Sequence, residues 1–147
     1  MYLTPIFKSN SCHKYDTIDY YQIDPSFGTT EDLKELVQKA HECGMKVVLD
    51  AVFNHTGREF FAFADIMEKQ EKSKYLDWYF IEGFPLKSDL EDIPNFKSFA
   101  YYAGMPKLNL KNPEVEKFVT DVACYWIKEC DIDGWRMDVG DEISHFF

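Results

Sequence analysis

The sequence predicts an α/β fold in which parallel strands alternate with helices, and two repeats of one pattern predict it. Residues 29–44 carry Leu33, Leu36, Val37, Ala40 and Cys43 at helical spacing, and the near-continuous apolar run 46–53 follows at once. A second helix, opened by Asn112 and Pro113, is followed just as closely by 133–139. Helix, strand, excursion, helix, strand is the order of a parallel sheet with helical crossovers.

At the front, residues 2–6 predict the end of an earlier strand, stopped by Pro5, so three strands are the most the pattern supplies. Thr29 or Thr30 caps the first helix, and Gly44 stands where a left-handed stop is wanted. The run 46–53 reads as a strand covered on both faces, with Asp50 as a charge inside it. Between Thr56 and Lys111 the chain leaves this pattern. It predicts a short helix around 59–70, then a loop-rich stretch through Trp78-Tyr79-Phe80, Gly83-Phe84-Pro85 and Phe99-Ala100-Tyr101-Tyr102. The second helix has Val115, Phe118, Val119, Val122, Trp126 and Ile127 as its buried stripe. The chain is therefore divided into 1–55, an insertion 56–111, and 112–147.

Composition narrows the function classes. The 147 residues are 46% hydrophobic, enough for a globular core, and 17% aromatic, which suits either a rich core or surfaces that stack on sugar rings. A formal net charge of −10 argues against nucleic acid or an anionic membrane surface as partner. No apolar stretch is long enough to span a bilayer, so a soluble protein is expected. The four cysteines, Cys12, Cys43, Cys124 and Cys130, lack the spacing of a zinc site and are expected as free thiols, Cys43 and Cys124 on apolar helix faces. The opening residues lack a secretory pattern, which predicts the cytoplasm.

Chemistry is expected where strands end. Side chains two apart on a strand share a face, so Arg136 and Asp138 point one way and Trp135, Met137 and Val139 the other. The same parity groups Asp50 with Asn54, with His55 just beyond. A carboxylate is the nucleophile a retaining glycosidase needs, and a neighbouring guanidinium favours its charged form. A buried ion pair closing the mouth of a barrel explains the Arg136–Asp138 doublet equally well.

Asp50-Ala51-Val52-Phe53-Asn54-His55 and Gly134-Trp135-Arg136-Met137-Asp138-Val139-Gly140-Asp141-Glu142 resemble the first and second signature regions of the alpha-amylase family. Met105-Pro106-Lys107-Leu108-Asn109 resembles the short signature of the subgroup of neopullulanase, cyclomaltodextrinase and maltogenic amylase. Residues 13–17 and 19–29 resemble the loop after the second barrel strand in that subgroup, so the resemblance covers practically the whole chain.

The resemblance implies a partial (β/α)8 TIM barrel, about strands 2 to 4, with the insertion 56–111 standing where the family has its domain B. It implies Asp138 as nucleophile and Arg136 as its partner. Asp50 and His55 would contact or organise the glucosyl unit on the non-reducing side, Tyr15 would stack on that ring, Glu142 would lie toward the leaving group, and Asn54 would also bind substrate. The partner implied is an alpha-glucan oligosaccharide, with no cofactor and no metal, and the full-length parent is implied to be a homodimer.

The sequence departs from the family pattern in three places. Gly140-Asp141 replaces an expected Ala-Asn, Lys14 stands where glycine is common, and the regions bearing the general acid and the later His-Asp pair are missing after Phe147. Retaining hydrolysis needs two carboxyl groups, so a fragment inactive by itself is expected. The alternative is a non-catalytic sugar-binding or assembly module that completes its sheet with a partner chain.

Overall fold

The computed structural model describes residues 1–87, 89–90 and 93–143; the last four residues of the segment 112–147 lie outside them. Strand β1 is Tyr2–Leu3, β2 Phe7–Lys8 and β3 Asp19–Ile23; helix α1 is Thr30–Glu42, strand β4 Val48–Ala51, helix α2 Phe61–Lys69, helix α3 Pro113–Cys130 and strand β5 Gly134–Met137. Strands β1, β4 and β5 form a parallel sheet in that order, with Tyr2 opposite Val48 and Asp50 opposite Arg136. These are the three strands the sequence predicts, each shorter than its apolar run.

The helices form where their ends are satisfied. Thr29 and Asp32 cap α1 reciprocally: the Asp32 carboxylate accepts from the Thr29 N–H at 2.7 Å, and the Thr29 hydroxyl accepts from the Asp32 N–H. Gly44, at φ 71°, ends the helix, where a side chain would be strained. Asn112 accepts from the Glu114 N–H at 2.8 Å, and Pro113 occupies the first position of α3.

The buried faces differ from prediction at their margins. On α3 the stripe is Val115, Val119, Val122, Trp126 and Cys130. Cys124 falls midway between Val122 and Trp126, about 200° around the helix from each, and is exposed. Cys43 is exposed too, because it caps α1 beyond the buried Leu33, Val37 and Ala40. Leu36 and Ile127 also lie at the exposed edges of their stripes. Cys130 is the buried thiol, and burial pushes it up to about 11.

One feature escapes the sequence pattern. Strands β2 and β3 form an antiparallel ribbon, with Phe7 opposite Ile23, so the described residues hold two strands beyond the predicted three. The ribbon covers the core. Tyr20 on β3 packs among Phe7, Phe53, Phe60 and Phe118, with ring centroids 5.5–6.1 Å apart where they meet. The Trp126 indole N–H donates to the Tyr20 carbonyl at 2.8 Å. Phe60, Ala62, Phe63 and Ile66 join the same buried cluster, so α2 is sealed onto the sheet's helical side.

Candidate active site

Parity along the sheet decides which side chains meet. Leu49 and Ala51 face the helices and are fully buried. Tyr2, Val48, Asp50 and Arg136 therefore share the other face, because register partners in a parallel sheet point the same way. At the C-terminal end of this face the Arg136 guanidinium donates from one nitrogen to Asp50 Oδ1 at 3.1 Å, Asp50 Oδ2 at 3.2 Å and Asp138 Oδ1 at 2.7 Å. Asp50 and Asp138 thus emerge at one rim, held by one cation.

The two carboxylates differ in their surroundings. The Asp50 side chain is inaccessible to solvent and accepts from two phenols, Tyr15 at 3.2 Å and Tyr2 at a shorter distance. Both phenols are raised above their ordinary value, by burial first and then by the Asp50 charge and hydrogen bond, so they remain donors. Asp138 lies one residue past β5, with its N–H donating to the Ala51 carbonyl at 3.1 Å. Val139 follows at φ 50°, an uncommon conformation for a β-branched residue, and turns the chain out of the strand direction.

The segment after β4 is built differently from the parity expected of it. The strand ends at Ala51, so alternation does not carry through to Asn54. Instead the turn is zipped to the short signature: Leu108 N–H donates to the Asn54 carbonyl at 2.9 Å and Thr56 N–H to the Pro106 carbonyl at 3.1 Å. From below, the Tyr20 hydroxyl reaches the carbonyls of Val52 at 2.7 Å and His55 at 2.9 Å.

His55 is buried, with Nε2 3.1 Å from the Tyr15 carbonyl and its ring stacked on Phe99 at 5.1 Å. Burial pushes its pKa below the ordinary value, against the pull of the Asp138 charge. A neutral imidazole donating from Nε2 satisfies that carbonyl. Next to it, the Gly57 N–H donates to the Thr17 carbonyl at 2.8 Å, and a Cβ at Gly57 would stand 2.4 Å from the Asp16 carbonyl oxygen.

Asp50, Arg136, Asp138 and Tyr15 therefore meet by direct contact, and His55 joins them through the Tyr15 backbone. Asn54 and Glu142 line a separate cleft with Phe80, Lys107 and Asp141, in which Lys107 pairs with Glu142 at 2.6 Å. Tyr2, Phe99 and Lys107 were not singled out for the site by the sequence. Tyr2 had a usable signal, since it shares Asp50's parity across the sheet; Phe99 arrives from a distant loop with none.

A rim of parallel strands carries two carboxylates on one guanidinium, at the end of the sheet where barrel enzymes place their sites. Residues 1–146 match the alpha-amylase catalytic domain (Alpha amylase, catalytic domain), and the chain belongs to the alpha-amylase family. Its similarity lies in the subgroup of cyclomaltodextrinase, maltogenic amylase and neopullulanase. The cyclomaltodextrinase of Thermoanaerobacter pseudethanolicus is 57% identical over 148 residues, covering 100% of this chain and 25% of that enzyme. Neopullulanase 2 of Thermoactinomyces vulgaris is 50% identical, with the same coverage of 100% and 25%. A solved cyclomaltodextrinase structure superposes with a TM-score of 0.94 at 51% identity, over 99% of this chain and 25% of that one. The chain thus spans about a quarter of the length of these relatives.

Proposed function

We propose that this chain supplies the nucleophile side of a retaining glycosidase that cleaves α-1,4, and in some substrates α-1,6, glucosidic bonds of malto-oligosaccharides, cyclodextrins or pullulan. The observation that carries the reading is the single Arg136 guanidinium shared by Asp50 and Asp138, with Tyr15 hydrogen-bonded to Asp50 beside it. Asp138 is the nucleophile: its carboxylate oxygen bonds to the anomeric carbon as the glycosidic C–O bond breaks, and a carboxylic acid protonates the departing oxygen. Water then releases the sugar and restores the carboxylate. Asp50 and His55 organise the glucosyl unit, Tyr15 stacks on it, and Asn54 and Glu142 serve the neighbouring cleft.

The acid is a different group. Both oxygens of Asp50 are engaged by Arg136, one of them also by two phenols, and Glu142 is tied to Lys107. We assign the acid to protein outside the described residues, with β1, β4 and β5 as strands 2 to 4 of an eight-stranded barrel and 56–111 as its domain B-like wall. By itself, then, this stretch is expected not to turn glucan over. The cysteines of the described residues are all free, which supports the cytoplasm.

Turnover of a chromogenic maltoside by the purified 147-residue chain tests this. None is expected, and activity abolished by Asp138→Asn would show that the site is complete. A second reading, an assembly module, is favoured by the partly open face on which Tyr2 and the Arg136 side chain are nearly half exposed. Calorimetric titration with maltotetraose together with a solution mass separates the two: binding by a defined oligomer supports the module, aggregation without binding the enzyme fragment.

A further inference from the structure

Lys14 presents a contradiction that the site alone does not explain. Its backbone lies at φ 65°, the left-handed region that favours glycine, yet it carries one of the longest side chains. That side chain is folded inward. Its ammonium donates to Asp24 Oδ2 at 2.8 Å and to the Ser9 carbonyl at 3.1 Å, and both ends of the ion pair are buried. Glycine at position 14 would allow the same turn without backbone strain and without a desolvated cation.

What lysine adds is a tether. Asp24 is itself fixed: its carboxylate accepts from the N–H groups of Ser9 at 3.3 Å and Ser26 at 3.0 Å, and its own N–H donates to the Ile6 carbonyl at 2.9 Å. The Lys14 ammonium, the Asp24 hydrogen bonds and the Ser26 hydroxyl hold that carboxyl well below the usual range. The pair therefore ties the turn to the loop that follows β3. The residue next along the chain is Tyr15, whose carbonyl meets His55 and whose hydroxyl meets Asp50.

We propose that Lys14 is a positioning residue for Tyr15: tethered to Asp24, it fixes the turn that presents the Tyr15 ring to a glucosyl unit. The proposal rests on the glycosidase reading for its ligand but not for its mechanics. An aromatic face binds a sugar more tightly when its orientation is settled before the sugar arrives. Lys14 touches no sugar and acts through the residue beside it.

The test is a cycle of Lys14→Gly and Tyr15→Ala in the protein carrying this sequence, titrated calorimetrically with maltotetraose. Lys14→Gly keeps the left-handed turn accessible and removes the tether, while Asp24 keeps the N–H bonds of Ser9 and Ser26, so the chain still folds. It is expected to weaken binding about five- to tenfold in the parent sequence and less than about twofold in the Tyr15→Ala background, since contacts that act as one unit are not additive. Asp24→Asn should repeat the loss. Equal losses in both backgrounds, or none in the parent, would overturn the proposal, and a general structural role would give the former.

A second readout needs no sugar. With 3-fluorotyrosine incorporated, the Tyr15 resonance should be distinct in the parent protein and averaged in Lys14→Gly; an unchanged resonance rejects the tether. If Tyr15→Ala itself leaves maltotetraose binding intact, the sugar role of Tyr15 is wrong, and the fluorine signal alone decides about Lys14.

Discussion

The two ends of the parallel sheet solve the same electrostatic problem with opposite results. At the N-terminal end Asp133 gathers His41 Nε2 at 2.7 Å, the Lys46 ammonium at 2.8 Å and the Val47 N–H at 2.8 Å. At the C-terminal end Asp50 gathers two phenols and a guanidinium. Below, the partners come from α1 and from the two residues that lead into β4, so the cluster is a brace. Above, the cation is shared with a second carboxylate just past the strand, and Arg136 keeps a side chain nearly half exposed. Asp133 collects its donors alone, whereas Asp50 shares its cation with Asp138, and both of those carboxylates are buried. Barrel enzymes divide stability and catalysis between these same two faces.

Mutations at the two ends should separate accordingly. The largest effect is expected for Asp138→Asn in the protein carrying this sequence: kcat on a maltoside falls by about 10⁴-fold or more, while the thermal midpoint stays nearly constant. A matching fall in midpoint would make Asp138 part of a brace like Asp133. Next comes Asp50→Asn, which should weaken both functions. Leaving the phenols without their charged partner, and Arg136 with Asp138 alone, costs about 1–3 kcal/mol in stability and about tenfold in maltotetraose affinity, measured by denaturant unfolding and calorimetry.

Asp133→Asn should lower the thermal midpoint at pH 7 and leave glucan affinity untouched. Lys46, the Val47 N–H and His41 hold the Asp133 carboxyl below the usual range, so its contribution is present above the unfolded value of about 3.9 and lost as pH falls. Wild-type and variant midpoints should therefore converge in acid. The smallest effect belongs to His55. Burial depresses its pKa, so the unfolded chain takes up the proton first, at about 6.5, and stability is full above that value and declines below it. Chemical denaturation from pH 7 to 5 should show this slope in the parent and a shallower one in His55→Gln.

Much of the fold was legible because helical periodicity and parallel-strand runs each extend over many residues. α1, α3 and the strands after them stand out for that reason. The β2–β3 ribbon was not legible, because Phe7–Lys8 is two residues long and its partner begins eleven residues later. Pairing of that kind is written in contacts, not in spacing. Cys124 was misplaced through ordinary helical geometry, since the true stripe steps by three or four residues from Val115 to Cys130.

The site divides along the same line. Asp50, Arg136 and Asp138 follow from strand parity and lie together; Tyr15 was found only through family resemblance, since nothing in its spacing points at Asp50. Lys14, a departure from the family pattern in sequence, has the glycine-like backbone that the pattern anticipates. The strand that carries Asp50 ends at Ala51, so Asn54 lies in the turn beyond it rather than on the strand.

Gly57 gives this architecture a tolerance of about one hydrogen atom. With the Asp16 carbonyl oxygen 2.4 Å from where a β-carbon would stand, the loop bearing Tyr15 rests on the main chain just beyond His55 with no slack between them. Any residue larger than glycine at position 57 would therefore push the Tyr15 loop away from the His55 turn, because this joint is backbone against backbone and has no side chain to trim.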